Sequence, residues 1–183
     1  MPLSWHGQVG VILDAVVRRA PRSVLDIGCG YGAIAPYLRQ YGVEWIVGVD
    51  ADLPDGAEAV GLEGYSDLIE APWPGASQRL DTIDPLGKGF DLALMIDVVE
   101  HAELALGLDM LAAALESARA VVVATPHDPM RWPQDDLPNP YEQHRRRWQL
   151  HDLTLVDGGF IAEAHHLAES IVVVLERWDG HRS

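Results

Sequence analysis

The eleven residues Ser23-Val-Leu-Asp-Ile-Gly-Cys-Gly-Tyr-Gly-Ala33 constrain this chain more than any other stretch. Val24, Leu25 and Ile27 make a short apolar strand, Gly28, Gly30 and Gly32 a turn with little Cβ, and Ala33 the start of a helix. A strand that feeds a helix through bare backbone is how an open α/β sheet brings N–H groups against a nucleotide-like cofactor. Gly28, Gly30 and Ala33 also satisfy the loose dinucleotide pattern G-x-G-x-x-G/A. Two residues argue against a dinucleotide. Asp26 would set a carboxylate beside a doubly charged pyrophosphate in a low-dielectric crevice, and Gly32 turns the pattern into D-x-G-x-G-x-G. A cofactor that carries an ammonium and a sulfonium suits an acidic turn far better.

Trp45-Ile-Val-Gly-Val-Asp50 reads as the next strand. It ends in a carboxylate eighteen positions after Gly32, about where an acid meets a ribose diol. Asp50 serves an adenosine of either cofactor and does not choose between them. The turn itself, Asp26-Ile-Gly-Cys-Gly-Tyr-Gly32, resembles the first motif of the class I S-adenosylmethionine-dependent methyltransferases. That resemblance implies S-adenosylmethionine as cofactor. It places Asp26, Gly28, Gly30, Tyr31 and Gly32 at the turn, with Asp50 and Ala51 after the second strand. Glu70 and Ala71 after the third strand, and Ile96 and Asp97 after the fourth, complete the expected cofactor-binding set. Cys29 stands between two turn glycines where a small side chain is needed, and reads as packing rather than as a nucleophile.

A length of 183 residues and 48% apolar content suit one domain spanning residues 1–183. No apolar run approaches the ~20 residues a membrane span needs. The start of the chain has no basic region followed by an apolar stretch of the signal-peptide kind. Lone Cys29 excludes an internal disulfide framework and fits a reducing cytoplasm, the expected compartment. The charge is strongly acidic, 13 Lys and Arg against 28 Asp and Glu, net −15. The basic footprint of a nucleic-acid binder is therefore missing overall. Arg145-Arg-Arg147, with Arg131, is the local exception, read either as a solvated face or as a hold on an anionic substrate group.

Strands and helices alternate along the chain, which argues a parallel sheet. An amphipathic helix over about 5 to 19 carries Val9, Ile12, Leu13, Val16 and Val17. Strands are expected at 22–27, 45–50, 67–70, 90–96 and 118–124, and helices at 33–41, 104–115 and 150–157. Residues 71–89 read as loop with one helical turn, and 125–149, with five prolines, as a long irregular segment. Phe160–Leu167 and Ser170–Arg177 close the chain as adjacent strands, similar to the antiparallel seventh strand of the methyltransferase fold. The expected class is α/β: a Rossmann-like, doubly wound sheet of seven strands, mostly parallel with an antiparallel last strand, and helices on both faces.

Chemistry belongs at the carboxyl ends of the strands. There Asp97, Glu100 and His101 stand at i, i+3 and i+4, one face of a helix if a helix begins just after the fourth strand. Two carboxylates and an imidazole crowd unfavourably without a cation. His144, downstream, is a candidate fourth ligand. The run resembles the Glu-x-x-Glu-His of the metal-dependent ubiquinone-biosynthesis O-methyltransferases and of the small-RNA 3′-terminal 2′-O-methyltransferases. The second group also has Thr-Pro-Asn after the fifth strand and a His four residues before a Trp; here these are Thr125-Pro-His127 and His144 before Trp148. Asp97, one methylene shorter than Glu, and His127 in place of Asn are departures. The resemblance implies a divalent metal, Mg²⁺ or Mn²⁺ or else Zn²⁺ or Fe²⁺, held by Asp97, Glu100, His101 and His144. Without a metal, the same place is an ordinary methyltransferase site with His101 or His144 as general base. Trp132 and Trp148 stand either over the substrate or anchored in the core. The expected activity is O-methylation of a small-molecule hydroxyl. A ribose hydroxyl at an RNA end and a non-catalytic binding module are the alternatives.

Overall fold

The computed structural model describes residues 6–54, 61–83, 89–128 and 139–178. Helix α1 spans His6–Arg19, β1 Ser23–Ile27, α2 Ala35–Gln40, β2 Trp45–Asp50, β3 Asp67–Glu70, β4 Leu92–Ile96 and α3 Leu104–Ser117. Strand β5 covers Ala120–Pro126, α4 Leu150–Leu153, β6 Gly159–His166 and β7 Ser170–Arg177. A 3-10 helix runs over Gly75–Thr82, and single 3-10 turns occupy Val99–His101 and Pro140–Glu142. The expected strands are all present, with ends shifted by a few residues.

The seven strands form one sheet in the order β3-β2-β1-β4-β5-β7-β6. β1, β2, β3, β4 and β5 are mutually parallel, and β7 runs antiparallel between β5 and β6. The chain steps outward from β1 in one direction and from β4 in the other, so the crevice for a ligand opens between their carboxyl ends. Both faces are covered. Ile12, Ala15 and Val16 of α1 and Ala35 and Leu38 of α2 pack on one side against Val24, Ile46, Leu92 and Val122. Leu111, Ala114 and Leu115 of α3, Leu80 and Trp148 pack on the other against Leu25, Val47, Met95 and Val123. Each large side chain so buried contributes roughly 1.5–3 kcal/mol.

Four expectations shift. The buried stripe of α1 is Gln8, Ile12, Ala15 and Val16, while Val17 is 50% exposed. β5 runs on through Thr125 and Pro126 because β7 supplies pairing partners, Thr125 opposite Ile171 and Pro126 opposite Ser170. α4 stops at Leu153 after one turn, with its start closed by the Gln149–Asp152 capping box. No α-helix begins directly after β4: Asp97 is left-handed at φ +53°, and before α3 only Val99–His101 winds, as 3-10. Asp97, Glu100 and His101 therefore do not share the helix face assumed for them. Arg131 and Trp132 lie outside the described residues.

Candidate active site

Gly28, Gly30 and Gly32 all have positive φ, 76°, 49° and 77°, so the turn after β1 is one that L side chains rarely adopt. Gly28 is doubly determined, since a Cβ there would overlap Val98 Cγ2 from the loop after β4. The first and fourth strand ends thus meet backbone to side chain at the switch point. Asp50 closes the turn from the neighbouring strand, its Oδ2 accepting from Gly30 N at 2.7 Å and its Oδ1 from Asp52 N at 3.0 Å. Cys29 is buried against Gly48, whose missing side chain leaves room for Cys29 Sγ and Tyr65. Burial, with Asp26 and Asp50 nearby, pushes its thiol well above the ordinary range, and so it is a packing residue.

Asp26 is 3% exposed and accepts a hydrogen bond from the Tyr65 hydroxyl. Burial pushes its carboxyl up to about 7, with Asp50 adding to the rise. It lies under the turn, held by Tyr65. Ala51 and Asp52 line a cleft of about 470 Å³ with Asn139, Pro140 and Tyr141. Asn139 Nδ2 donates to Asp52 Oδ2 at 2.9 Å, so the segment after β5 reaches across to the end of β2. Ala71 N donates to Asp50 O at 2.8 Å, which sets the end of β3 beside the same acid. Glu70 is exposed at that edge, Tyr31 is 36% exposed on the turn, and Ile96 is half-buried at the end of β4.

Asp97 is engaged by a residue the sequence did not mark. Gln8 Nε2 donates to both its carboxylate oxygens, at 3.0 and 2.9 Å, and the fully buried amide leaves Gln8 Oε1 without a partner among the described residues. The available signal was a polar residue four positions before Ile12, on the buried stripe of α1. The neighbourhood is rich in acceptors: carboxylates at 26, 50 and 97 and an orphaned amide oxygen. That set fits a cationic ammonium and sulfonium and a ribose diol.

Glu100, His101 and His144 come together beside it, their ligand atoms all within 4.8 Å of one another. Asp97 is outside this group, its carboxylate turned to Gln8. Thr125 Oγ1 donates to Glu100 Oε2 at 3.0 Å, and Glu100 O accepts from Arg145 N at 2.7 Å and Arg146 N at 3.1 Å. Those two backbone bonds carry His144 to His101, ring centroids 4.8 Å apart. Trp148, 1% exposed, anchors the segment in the core against Gly107 rather than standing over substrate. Arg146 pairs with the buried Asp152 at 2.8 Å, and Arg147 pairs at the surface with Asp128. Burial and Asp97 push the Glu100 carboxyl up to about 8. Burial and His144 hold His101 down to about 4, and His101 Nδ1 is buried with no hydrogen-bond partner among the described residues. A buried acid beside two imidazoles forms the electrostatic setting that a cation relieves.

A family model described as a methyltransferase domain matches residues 9–156. By sequence, no curated protein matches the chain. Among solved structures, the chain is similar to magnesium protoporphyrin IX methyltransferase from Synechocystis PCC 6803 with bound SAM. That match has 17% identity and a TM-score of 0.61 over 94% of this chain and 79% of that one. It is also similar to an O-methyltransferase from neocarzinostatin biosynthesis in complex with S-adenosyl-L-homocysteine and 1,4-dihydroxy-2-naphthoic acid. There the identity is 15% and the TM-score 0.60, over 92% of this chain and 56% of that one. The methyltransferase domain of bacterial CtHen1-C gives 19% identity and a TM-score of 0.58, over 93% and 96%. The glycine turn, the acid after β2, the inserted antiparallel β7 and a family match over most of the chain agree, and the chain belongs to the methyltransferase-domain family, as a class I S-adenosylmethionine-dependent enzyme.

Proposed function

We propose that the chain methylates a hydroxyl of a small molecule, with a divalent cation held by Glu100, His101 and His144. The observation that carries this reading is the convergence of those three ligand atoms within 4.8 Å, at the carboxyl end of β4. The donor set is one carboxylate oxygen and two imidazole nitrogens, which suits Mn²⁺, Fe²⁺ or Zn²⁺ and tolerates Mg²⁺. When bound, such an ion lowers the pKa of a coordinated hydroxyl and orients it. S-adenosylmethionine supplies the methyl group as an electrophile.

The chain's own residues do the positioning. The turn at 28–32 and Asp50 would hold the adenosine end of that cofactor, and Asp97 and the Gln8 amide oxygen would meet its cationic end. Thr125 fixes Glu100 in one orientation, and the Glu100 carbonyl holds the His144 segment in reach. Much of the rate of an in-line transfer comes from such fixed geometry. A small acceptor also accords with the dihydroxynaphthoic acid bound by one structural relative. An RNA end is the second reading, and a net charge of −15 gives little phosphate neutralisation for it. A binding module without chemistry has no use for three convergent ligands.

The test is a Mn²⁺ titration of the protein saturated with S-adenosylhomocysteine, followed by electron paramagnetic resonance, with His101→Ala beside it. One tight site lost in the variant, together with metal-dependent methylation of catechols or other diols, is the expected result. No ion binding in the wild-type protein would remove the metal and leave His144 or His101 as a base.

A further inference from the structure

A second cleft, of about 390 Å³, opens one strand away from Glu100. Its walls include His127, Arg147, Trp148, His151, His166 and Ile171, and no carboxylate lines it among the described residues. That is notable in a chain with 28 acids against 13 Lys and Arg. The cleft adjoins the cluster through two separate segments. Ile171 is the direct cross-strand partner of Thr125, the residue whose hydroxyl donates to Glu100, and paired Cβ atoms stand about 5 Å apart. His127 follows Thr125 by two residues and Arg147 follows His144 by three, a reach of at most about 7 and 10 Å of chain.

The donors in the cleft are in part committed, and the exposed ones are exchangeable. Trp148 Nε1–H is buried and has no acceptor among the described residues. His127 Nε2 lies 2.8 Å from Leu167 O, a group that only accepts, so this nitrogen donates to that carbonyl and the bond fixes the ring in the wall of the cleft. The His127 and His166 rings lie nearly parallel, 6.3 Å between centroids. Arg147 is paired with Asp128, but the two side chains are 53% and 48% exposed, and a pair so wet is easily exchanged for a ligand. His151 lies 3.4 Å from Asp152, whose charge Arg146 already answers.

We propose that this cleft takes the methyl acceptor by an anionic group, a carboxylate or a phosphate, and restricts the enzyme to acidic hydroxylated acceptors. The inference rests on the reading of the neighbouring cluster as the place of methyl transfer. Arg147 supplies a two-pronged grip that a carboxylate or phosphate can match, and the imidazoles of His151 and His166 lie in the same walls to meet the remaining oxygens.

The experiment titrates the protein saturated with S-adenosylhomocysteine and Mn²⁺ with 3,4-dihydroxybenzoate, with catechol and with phenyl phosphate. The same series is run on Arg147→Gln and His166→Gln, with homocysteine-cofactor affinity as the check on folding. The expected result is binding of dihydroxybenzoate at least about tenfold tighter than catechol, with the advantage lost in Arg147→Gln and reduced in His166→Gln. Phenyl phosphate separates the anions: tighter binding than dihydroxybenzoate assigns the cleft to phosphate, weaker binding to carboxylate. Equal affinity for catechol and dihydroxybenzoate, or an advantage that survives both substitutions, overturns the proposal. Methylation of both diols at equal kcat/KM would keep the methyl-transfer reading and reject the cleft. Arg147-dependent binding of the acid with no methylation would do the reverse.

Discussion

Gln8 on α1 and Asp97 after β4 are joined by two hydrogen bonds from one nitrogen, at 3.0 and 2.9 Å across 89 residues of sequence. This contact fixes a left-handed acid, a conformation that costs a non-glycine residue on the order of 1 kcal/mol, at the switch point of the sheet. Gln8→Leu is expected to leave the carboxylate without its donor, lowering stability by roughly 1–3 kcal/mol. It should also weaken S-adenosylhomocysteine binding. Gln8→Glu should do worse at neutral pH, where two carboxylates face each other, and recover on acidification. Urea denaturation and calorimetric titration check both. A Gln8→Leu protein with wild-type stability and affinity would show the contact to be idle.

Asp26 gives a prediction in which stability and binding move apart. Burial raises its carboxyl from 3.8 to about 7 in the folded chain. A raised acid loses its proton first in the unfolded state, so the fold weakens as pH rises from about 4 to about 7 and is level beyond that. Asp26→Asn keeps an acceptor for Tyr65 and removes the ionisation. It is expected to flatten that slope and gain stability at pH 7.5, with a ceiling of a few kcal/mol at 1.36 per pKa unit. Affinity for S-adenosylmethionine, a cation-bearing ligand, should fall in the same variant. Denaturation of the ligand-free protein at pH 4.5 and 7.5 decides the first part, and identical curves for the two proteins would refute it.

The turn and the strands were legible because their signals are local. Glycine at 28, 30 and 32 is read directly from the sequence, and apolar runs such as Val121–Ala124 announce buried strands. What failed to show depends on pairing between distant segments. β5 is extended by its contact with β7, and the turn after β4 is 3-10 rather than α because Asp97 is pulled out of helical geometry. The ligand group at 100, 101 and 144 was named from spacing and resemblance. That Asp97 turns away from it was beyond reach, since its partner lies 89 residues upstream. Trp148 could have gone either way by sequence; the small residue facing it, Gly107, sits on another element.

Glu163 predicts an acid-sensitive dock between α1 and the β6–β7 edge. Arg18 and Arg19 reach its carboxylate at 2.6 and 2.8 Å, and their hydrogen bonds hold it down to about 2 from 4.5. A depressed acid stabilises the fold above its unfolded pKa, and that stability is lost as pH falls from about 4.5 through about 2. Because Arg18 is half exposed, the contribution is about 1 kcal/mol or less and shrinks in salt. Glu163→Gln should therefore be less stable than wild type at pH 6 and equal to it near pH 2, by circular dichroism of urea unfolding. A gap that stays open at pH 2 would point to packing instead of charge.

Gly107 tests whether the site depends on the anchoring of its last ligand. In an exposed helix interior, replacing glycine by alanine gains up to about 1 kcal/mol. At 107 the new methyl would overlap the six-membered ring of Trp148, which is 1% exposed and cannot withdraw into solvent without vacating the core. Overpacking of this kind costs typically 1–3 kcal/mol, so the sign reverses and Gly107→Ala should be destabilised despite better helix propensity. The displaced indole is four residues from His144, and the intervening Arg145 and Arg146 are bonded through their backbone N–H groups to Glu100 O, so a shift of the indole pulls on the segment that carries His144. Mn²⁺ affinity should then fall more than S-adenosylhomocysteine affinity, because Trp148 anchors the segment that carries His144, whereas the glycine turn and Asp50 lie on other elements. Gly107→Ala combined with Trp148→Phe, which removes part of the overlap, should recover both stability and ion binding. If the double variant binds the ion no better than Gly107→Ala alone, the anchor is not what brings His144 to the site.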